Sequence, residues 1–191
     1  VADVDDFTID GNFPIESPRL TIGAGASTSI GRALIVGGTN RGELTVNGGG
    51  TVSVDNGAGL VGSGADSTGT MTVTGANSTW SATQQLIIGG AGNGTLTIGD
   101  GGQVSNGLGG VVGSVGDSAG DVMVTGSGST WINTSTLTVA MSGDGTLTIA
   151  DSGQVSNTNG AIGDGGGSTG MVTVTGGGST WTNDGELEIG D

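Results

Sequence analysis

The chain has 191 residues, a length that suits one compact domain or one solenoid. Glycine fills 45 positions and proline only two, without glycine at every third place, so collagen is excluded. Eighteen acidic residues face three arginines (Arg19, Arg32, Arg41) with no lysine, histidine or cysteine; the net charge of −15 excludes nucleic acid as a partner, and disulfides and thiolate metal sites are excluded too.

Residues 1–19 stand apart from the rest of the chain. Val4-Asp-Asp-Phe-Thr-Ile9 alternates like a strand, and Asn12 to Pro18 holds both prolines and the second phenylalanine. Proline cannot donate to a sheet ladder, so this segment reads as an N-terminal cap or strand extension at the end of a stack. From 20 to 191 the chain is periodic. Leu20-Thr-Ile22 and Leu34-Ile-Val-Gly37 form a shortened first unit. Gly42-Glu-Leu-Thr-Val46, Gly50-Thr-Val-Ser53 and Leu60-Val-Gly62 come next as three short alternating runs. The same three runs recur with larger residues at Met71, Trp80 and Leu86, again from Gly94, and so on to Ile189.

Three stretches punctuate this series: Val73-Thr-Gly-Ala-Asn-Ser-Thr-Trp80, Val124-Thr-Gly-Ser-Gly-Ser-Thr-Trp131 and Val174-Thr-Gly-Gly-Gly-Ser-Thr-Trp181. They carry the only tryptophans, 51 and 50 residues apart, and each such repeat contains two similar halves. Three short strands in each half, separated by Gly/Ser/Asn/Asp turns, predict an all-β fold, a right-handed parallel β-helix of about seven three-strand coils. A propeller blade is the rival at this period, but it needs four antiparallel strands joined by tight hairpins. About seven coils at ~4.8 Å spacing predict a rod of roughly 34 Å.

Alternation assigns the faces. Leu44, Val46, Met71, Val73, Leu96 and Ile98 point inward from the first strands, as do Val122, Val124, Leu147, Ile149, Val172 and Val174. Val52, Trp80, Val104, Trp131, Val155 and Trp181 do so from the second, and Val61, Ile88, Val112, Val139, Ile162 and Ile189 from the third. Two residues past the second-strand anchor lie Asn106, Asn133, Asn157 and Asn183, with Val54 and Ala82 in earlier coils. Inward amides stacked at strand spacing predict an internal asparagine ladder; the alternative is that asparagine is there because it favours turns. Coils with Trp start their third strand with Leu86, Leu137 or Leu187, whereas coils with Val start it with Gly59, Gly110 or Gly160. Uniform packing density therefore predicts that each indole fills space left by a glycine in a neighbouring coil. An inward ring at 131 predicts a loss of roughly 3–5 kcal/mol for Trp131→Ala.

The pattern Gly-Thr-Leu-Thr-Ile-x-x-x-Gly-x-Val-Ser, then Val-Thr-Val-Thr-Gly-x-Gly-Ser-Thr-Trp-x-Asn, then Leu-x-Val/Ile-Gly resembles a repeat of autotransporter (type V secretion) passenger regions and of PEP-CTERM-associated surface proteins. The resemblance runs from Leu34 to Asp191, with departures at Met123, Ala140 and the unit before Glu43. It implies a secreted β-helical stalk at a bacterial cell surface, extracellular and non-enzymatic, and supplies no catalytic residues. A receptor on a host or neighbouring cell is the partner it implies.

Other chemistry is weighed from the residues themselves. Polysaccharide-cleaving β-helices need clustered Asp, Lys or Arg in a cleft, and here the acids (Asp66, Asp100, Asp117, Asp144, Asp151, Asp164, Asp184) fall mainly at turns. No catalytic residue, metal ligand or cofactor is therefore expected. Ile162-Gly-Asp-Gly-Gly-Gly-Ser168 lacks the tandem nonapeptide spacing of calcium-binding β-helices. Outward Thr70/Thr72, Thr95/Thr97 and Thr146/Thr148 form an array of the kind that orders water, as in ice binding, broken at Glu43, Asp121/Met123 and Met171. No run is long and apolar enough for a membrane span, so membrane insertion by this segment is not expected. An uncapped C-terminal coil predicts homo-oligomerisation through the solenoid ends, and in the alternative reading a head-to-tail filament.

Overall fold

The computed structural model describes residues 3–11 and 18–190. All of the regular structure in these residues is β. The chain winds as a parallel β-helix of seven coils, and every strand pairing is parallel. An opening strand β1 (Asp3–Ile9) precedes coil 1, which is made of β2 (Arg19–Ile22) and β3 (Ser27–Val36). Coil 2 contains β4 (Arg41–Asn47), β5 (Thr51–Val54) and β6 (Gly59–Val61); coil 3 contains β7 (Thr68–Thr74), β8 (Thr79–Ala82) and β9 (Leu86–Ile88). Coil 4 follows with β10 (Asn93–Gly99), β11 (Gln103–Asn106) and β12 (Gly110–Val112), and coil 5 with β13 (Ala119–Thr125), β14 (Thr130–Asn133) and β15 (Leu137–Val139). Coil 6 is β16 (Asp144–Ala150), β17 (Gln154–Asn157) and β18 (Gly160–Ile162), and coil 7 is β19 (Thr169–Thr175), β20 (Thr180–Asn183) and β21 (Leu187–Ile189).

The first strands stack into one sheet, in the order β19-β16-β13-β10-β7-β4-β2. The second and third strands form two ladders that join at β3, whose Ser27–Ile30 pairs with β5 and whose Leu34–Val36 pairs with β6. β1 lies against β3 in parallel, so the N-terminal segment adds a strand to its own chain. Ile9 is buried and Phe7 packs half-buried on the core. Phe13 and Pro14, the rest of the expected cap, lie outside the described residues.

Each coil pairs residue for residue with the next, so one inward position repeats as a column along the axis. The inward columns expected from alternation are buried through coils 2 to 5: Leu44, Val46, Val52, Val61, Met71, Val73, Trp80, Ile88, Leu96, Ile98, Val104 and Val112 are examples. The same columns open in coil 7, where Val172 and Trp181 are half-buried, Val174 is exposed and Ile189 is 71% exposed. The physical reason is local: an inward side chain is shielded by the coils on both sides of it, and among the described residues coil 7 has only one neighbour.

The turn after each third strand needs a left-handed backbone. Gly62, Gly89, Gly113 and Gly163 supply it with φ of 68–74°, and a Cβ at Gly62 would collide with the carbonyl of Asn93. In coil 5 the position is Ala140, at φ 66°. A non-glycine residue there is strained by roughly 1–2 kcal/mol.

Candidate functional site

The residues singled out by sequence meet inside the rod. Trp80 and Trp131 are buried, at 1% and 0% exposure, as are Asn106, Asn133 and Asn157, while Trp181 and Asn183 in coil 7 are half-buried. Their polar groups form two separate clusters. In the first, the Trp131 Nε1–H donates to Asn106 Oδ1 (3.0 Å), and Asn106 Nδ2 donates to Asn133 Oδ1 (2.9 Å) and to the Leu108 carbonyl (2.8 Å). In the second, the Trp181 Nε1–H donates to Asn157 Oδ1 (2.6 Å), and Asn157 Nδ2 donates to Asn183 Oδ1 (2.5 Å) and the Asn159 carbonyl (2.6 Å).

The asparagines are therefore two pairs and not one ladder. Asn133 Nδ2 is buried without a partner, and no bond reaches from it to Asn157. Turn length supplies the reason. Three residues separate Asn133 from Leu137, but only Thr158 and Asn159 separate Asn157 from Gly160. The Thr158 N–H is drawn to the Ser135 carbonyl, whereas the Thr134 N–H goes to the Asn106 carbonyl. Pairing of β14 with β17 accordingly ends at Ile132↔Ser156, one residue short of the four paired between β11 and β14.

The tryptophan–asparagine bonds escape a reading based on alternation alone, although the signal is present. Each Asn of a Val coil precedes a Trp coil, and the one Trp that follows a coil without Asn is Trp80, after Val54. Its Nε1–H is buried and unpartnered. A buried donor left without a partner costs about 1–3 kcal/mol.

The glycines sit under the indoles. A Cβ at Gly59 would lie 2.5 Å from Trp80 Cζ2 and 3.0 Å from Leu86 Cδ1. One at Gly110 would lie 2.8 Å from Trp131 Cζ2, and one at Gly160 would lie 3.0 Å from Trp181 Cζ2. Each indole thus leans on the coil before it. A Val/Gly coil and the Trp/Leu coil that follows make one packing unit, which explains why the repeat spans two coils.

On the outer face of the first sheet, register places Thr21, Thr45, Thr72, Thr97, Met123, Thr148 and Thr173 in one row. The parallel row reads Arg19, Glu43, Thr70, Thr95, Asp121, Thr146 and Met171, with Arg19 and Glu43 paired at 2.6 Å. The hydroxyl array is interrupted in coils 1, 2, 5 and 7. A shallow depression of about 250 Å³ marks the coil 5 interruption, between Thr95, Thr97, Asp121, Met123, Thr146 and Thr148.

The acids are distributed by turn geometry. Asp66, Asp100, Asp117 and Asp151 occupy left-handed turn positions, while Asp144 opens β16. Asp66 and Asp117 border one surface depression, two coils apart, with Ala91 to Asn93 between them. Among the described residues no three His, Cys, Asp or Glu side chains gather as a metal ion would require. One carboxylate is held firmly. Asp10 accepts bonds from the Thr39 N–H (2.9 Å), the Thr39 hydroxyl (2.6 Å) and the Asn40 N–H (2.7 Å). Burial raises its pKa, but these bonds and one from the Gly38 N–H outweigh that and hold it below 3.8. Asp10 thereby ties the end of β1 to the turn between β3 and β4.

Compared with known proteins, the chain matches no family model, no curated protein and no solved structure.

Proposed function

We propose that this chain is a non-enzymatic structural segment of a secreted bacterial surface protein, a stiff β-helical stalk of an adhesin or autotransporter passenger. One observation carries the reading: Trp80, Trp131, Asn106, Asn133 and Asn157, with the glycines at 59, 110 and 160, are turned inward and engaged in coil-to-coil packing. What recurs outside is threonine, the strand serines Ser53, Ser81, Ser105 and Ser156, and turn aspartate, which solvate a sheet and shape its turns. Residues that recur for construction suit a spacer, whose work is length and resistance to bending. The resemblance of the repeats to autotransporter and PEP-CTERM-associated repeats supports a cell-surface location. An antibody raised against residues 1–191 tests it. Labelling of intact, unpermeabilised cells of the producing organism is expected, and labelling only after lysis would overturn the assignment.

A second reading is a subunit that self-associates through the solenoid ends. The exposed edge at β19–β21, with Val174, Leu187 and Ile189 open to solvent, favours it. Such an edge pairs with a further coil, from this chain or another copy, and stacking between copies would be heterologous and open-ended. Sedimentation across a concentration series separates the readings: growth beyond 18.1 kDa with concentration supports stacking, and a constant monomer opposes it.

A further inference from the structure

We propose that coils 6 and 7, residues 144–190, open and close as one cooperative unit, parting from the rest of the rod along the seam between coils 5 and 6. Three features converge on that seam, the first two sharing a cause in the short turn at Thr158–Asn159. The β14–β17 ladder lacks its fourth pair. The Asn133 Nδ2 is buried there without a partner. The connection that crosses it begins at Ala140, in the left-handed backbone that glycine supplies after the third strand of coils 2, 3, 4 and 6.

The next interface is of the opposite kind. Coils 6 and 7 share all four pairs between β17 and β20, the Trp181–Asn157–Asn183 chain of hydrogen bonds, and an indole seated on Gly160. Separating coil 7 alone would break both side-chain bonds between Asn157 and coil 7, leaving Asn157 Oδ1 without its donor while Nδ2 keeps the Asn159 carbonyl, and would uncover Gly160. Separating coils 6 and 7 together breaks no side-chain bond of the interior network, since none crosses from Asn133 to Asn157. In a stack where each coil touches only its neighbours, opening follows the weakest interface. The other junction between packing units, from coil 3 to coil 4, retains its four pairs between β8 and β11 and has Gly89 at the turn. The seam after coil 5 is thus the preferred place of parting, whether or not the chain serves as a stalk.

Native-state hydrogen exchange on the 191-residue chain, resolved by peptide, tests it. Amides of β16–β18 and β19–β21 are expected to share one opening constant, roughly tenfold or more larger than that of β13–β15. Protection that falls coil by coil toward the C-terminus would overturn the proposal, and so would β13–β15 opening together with β16–β21. Two variants move the result in opposite ways. Ala140→Gly removes strain at the crossing and is expected to slow exchange of β16–β21 about fivefold. Asn157→Leu is expected to uncouple the unit, so that β19–β21 exchange roughly tenfold faster than β16–β18. An Ala140→Gly protein with unchanged exchange in β16–β21 would contradict the seam even if the Asn157 variant failed to fold.

Discussion

Trp80 and Trp131 occupy equivalent positions in the stack, yet the same substitution should cost different amounts at the two. Trp→Phe removes a similar volume at each site: both rings are buried, both lean on a glycine, and both adjoin a leucine at the start of the third strand. The cavity and transfer terms therefore largely cancel in the comparison. The hydrogen-bond terms do not. At 131 the change breaks the 3.0 Å bond to Asn106 and leaves Asn106 Oδ1 buried without its donor. At 80 it deletes an N–H that already lacks a partner. An orphaned buried group costs about 1–3 kcal/mol, so Trp131→Phe gains that penalty and Trp80→Phe sheds one. The difference between the two losses is expected to be at least about 2 kcal/mol, with Trp131→Phe the larger. Urea unfolding followed by far-UV circular dichroism measures it, provided the m-value is unchanged. Val54→Asn supplies a complementary test, because it places an amide where Trp80 lacks an acceptor. That substitution should cost about 1 kcal/mol less beside Trp80 than beside Phe at the same place. Equal losses for the two Trp→Phe proteins, within about 0.5 kcal/mol, would refute the reasoning.

The glycines and Asp10 can be tested in the same way. Gly110→Ala places a Cβ 2.5 Å from Asn133 Oδ1 and 2.9 Å from Leu137 Cδ1, and is expected to destabilise by roughly 1–3 kcal/mol. Gly116→Ala enters open space and should change stability by less than about 0.5 kcal/mol; similar losses in thermal unfolding at both sites would remove the glycine from the packing unit. The Asp10 carboxyl is depressed below 3.8 in the folded state, so its stabilisation of β1 is present above that value and lost as pH falls through the lower folded one. The amide resonances of Thr39 and Asn40 should titrate together with a midpoint below 3.8, and a midpoint above it would show that the carboxyl is not held.

The architecture was legible in the sequence because both of its periods are simple. Alternation at Leu44, Val46, Met71 and Val73 determines which side chains face in, and the two-coil period follows from Trp, Val, Leu and Gly exchanging sizes at fixed places. The glycines at 59, 110 and 160 point to the indoles because interior volume is conserved. The hydrogen-bond pattern was less accessible. Parity places Asn106, Asn133, Asn157 and Asn183 inside, but parity cannot orient an amide. A missing residue in the turn at Thr158–Asn159 shifts one carbonyl partner and divides a column that looks uniform in sequence. The partners of the Trp131 and Trp181 indoles, Asn106 and Asn157, lie in the preceding coil, a contact that parity within one strand does not reveal. Exposure of Val174 and Ile189 was invisible to alternation, since inward parity confers burial only where a neighbouring coil covers the column.

Stretching single molecules between their termini bears most directly on a stiff rod built of two-coil units. Coils 6 and 7 should resist force and then yield as one, releasing residues 144–190 in a step of about 15 nm at 3.3–3.6 Å per residue. Steps of about 8 nm, one coil at a time, would contradict the two-coil unit, and extension without a force peak would contradict the stalk.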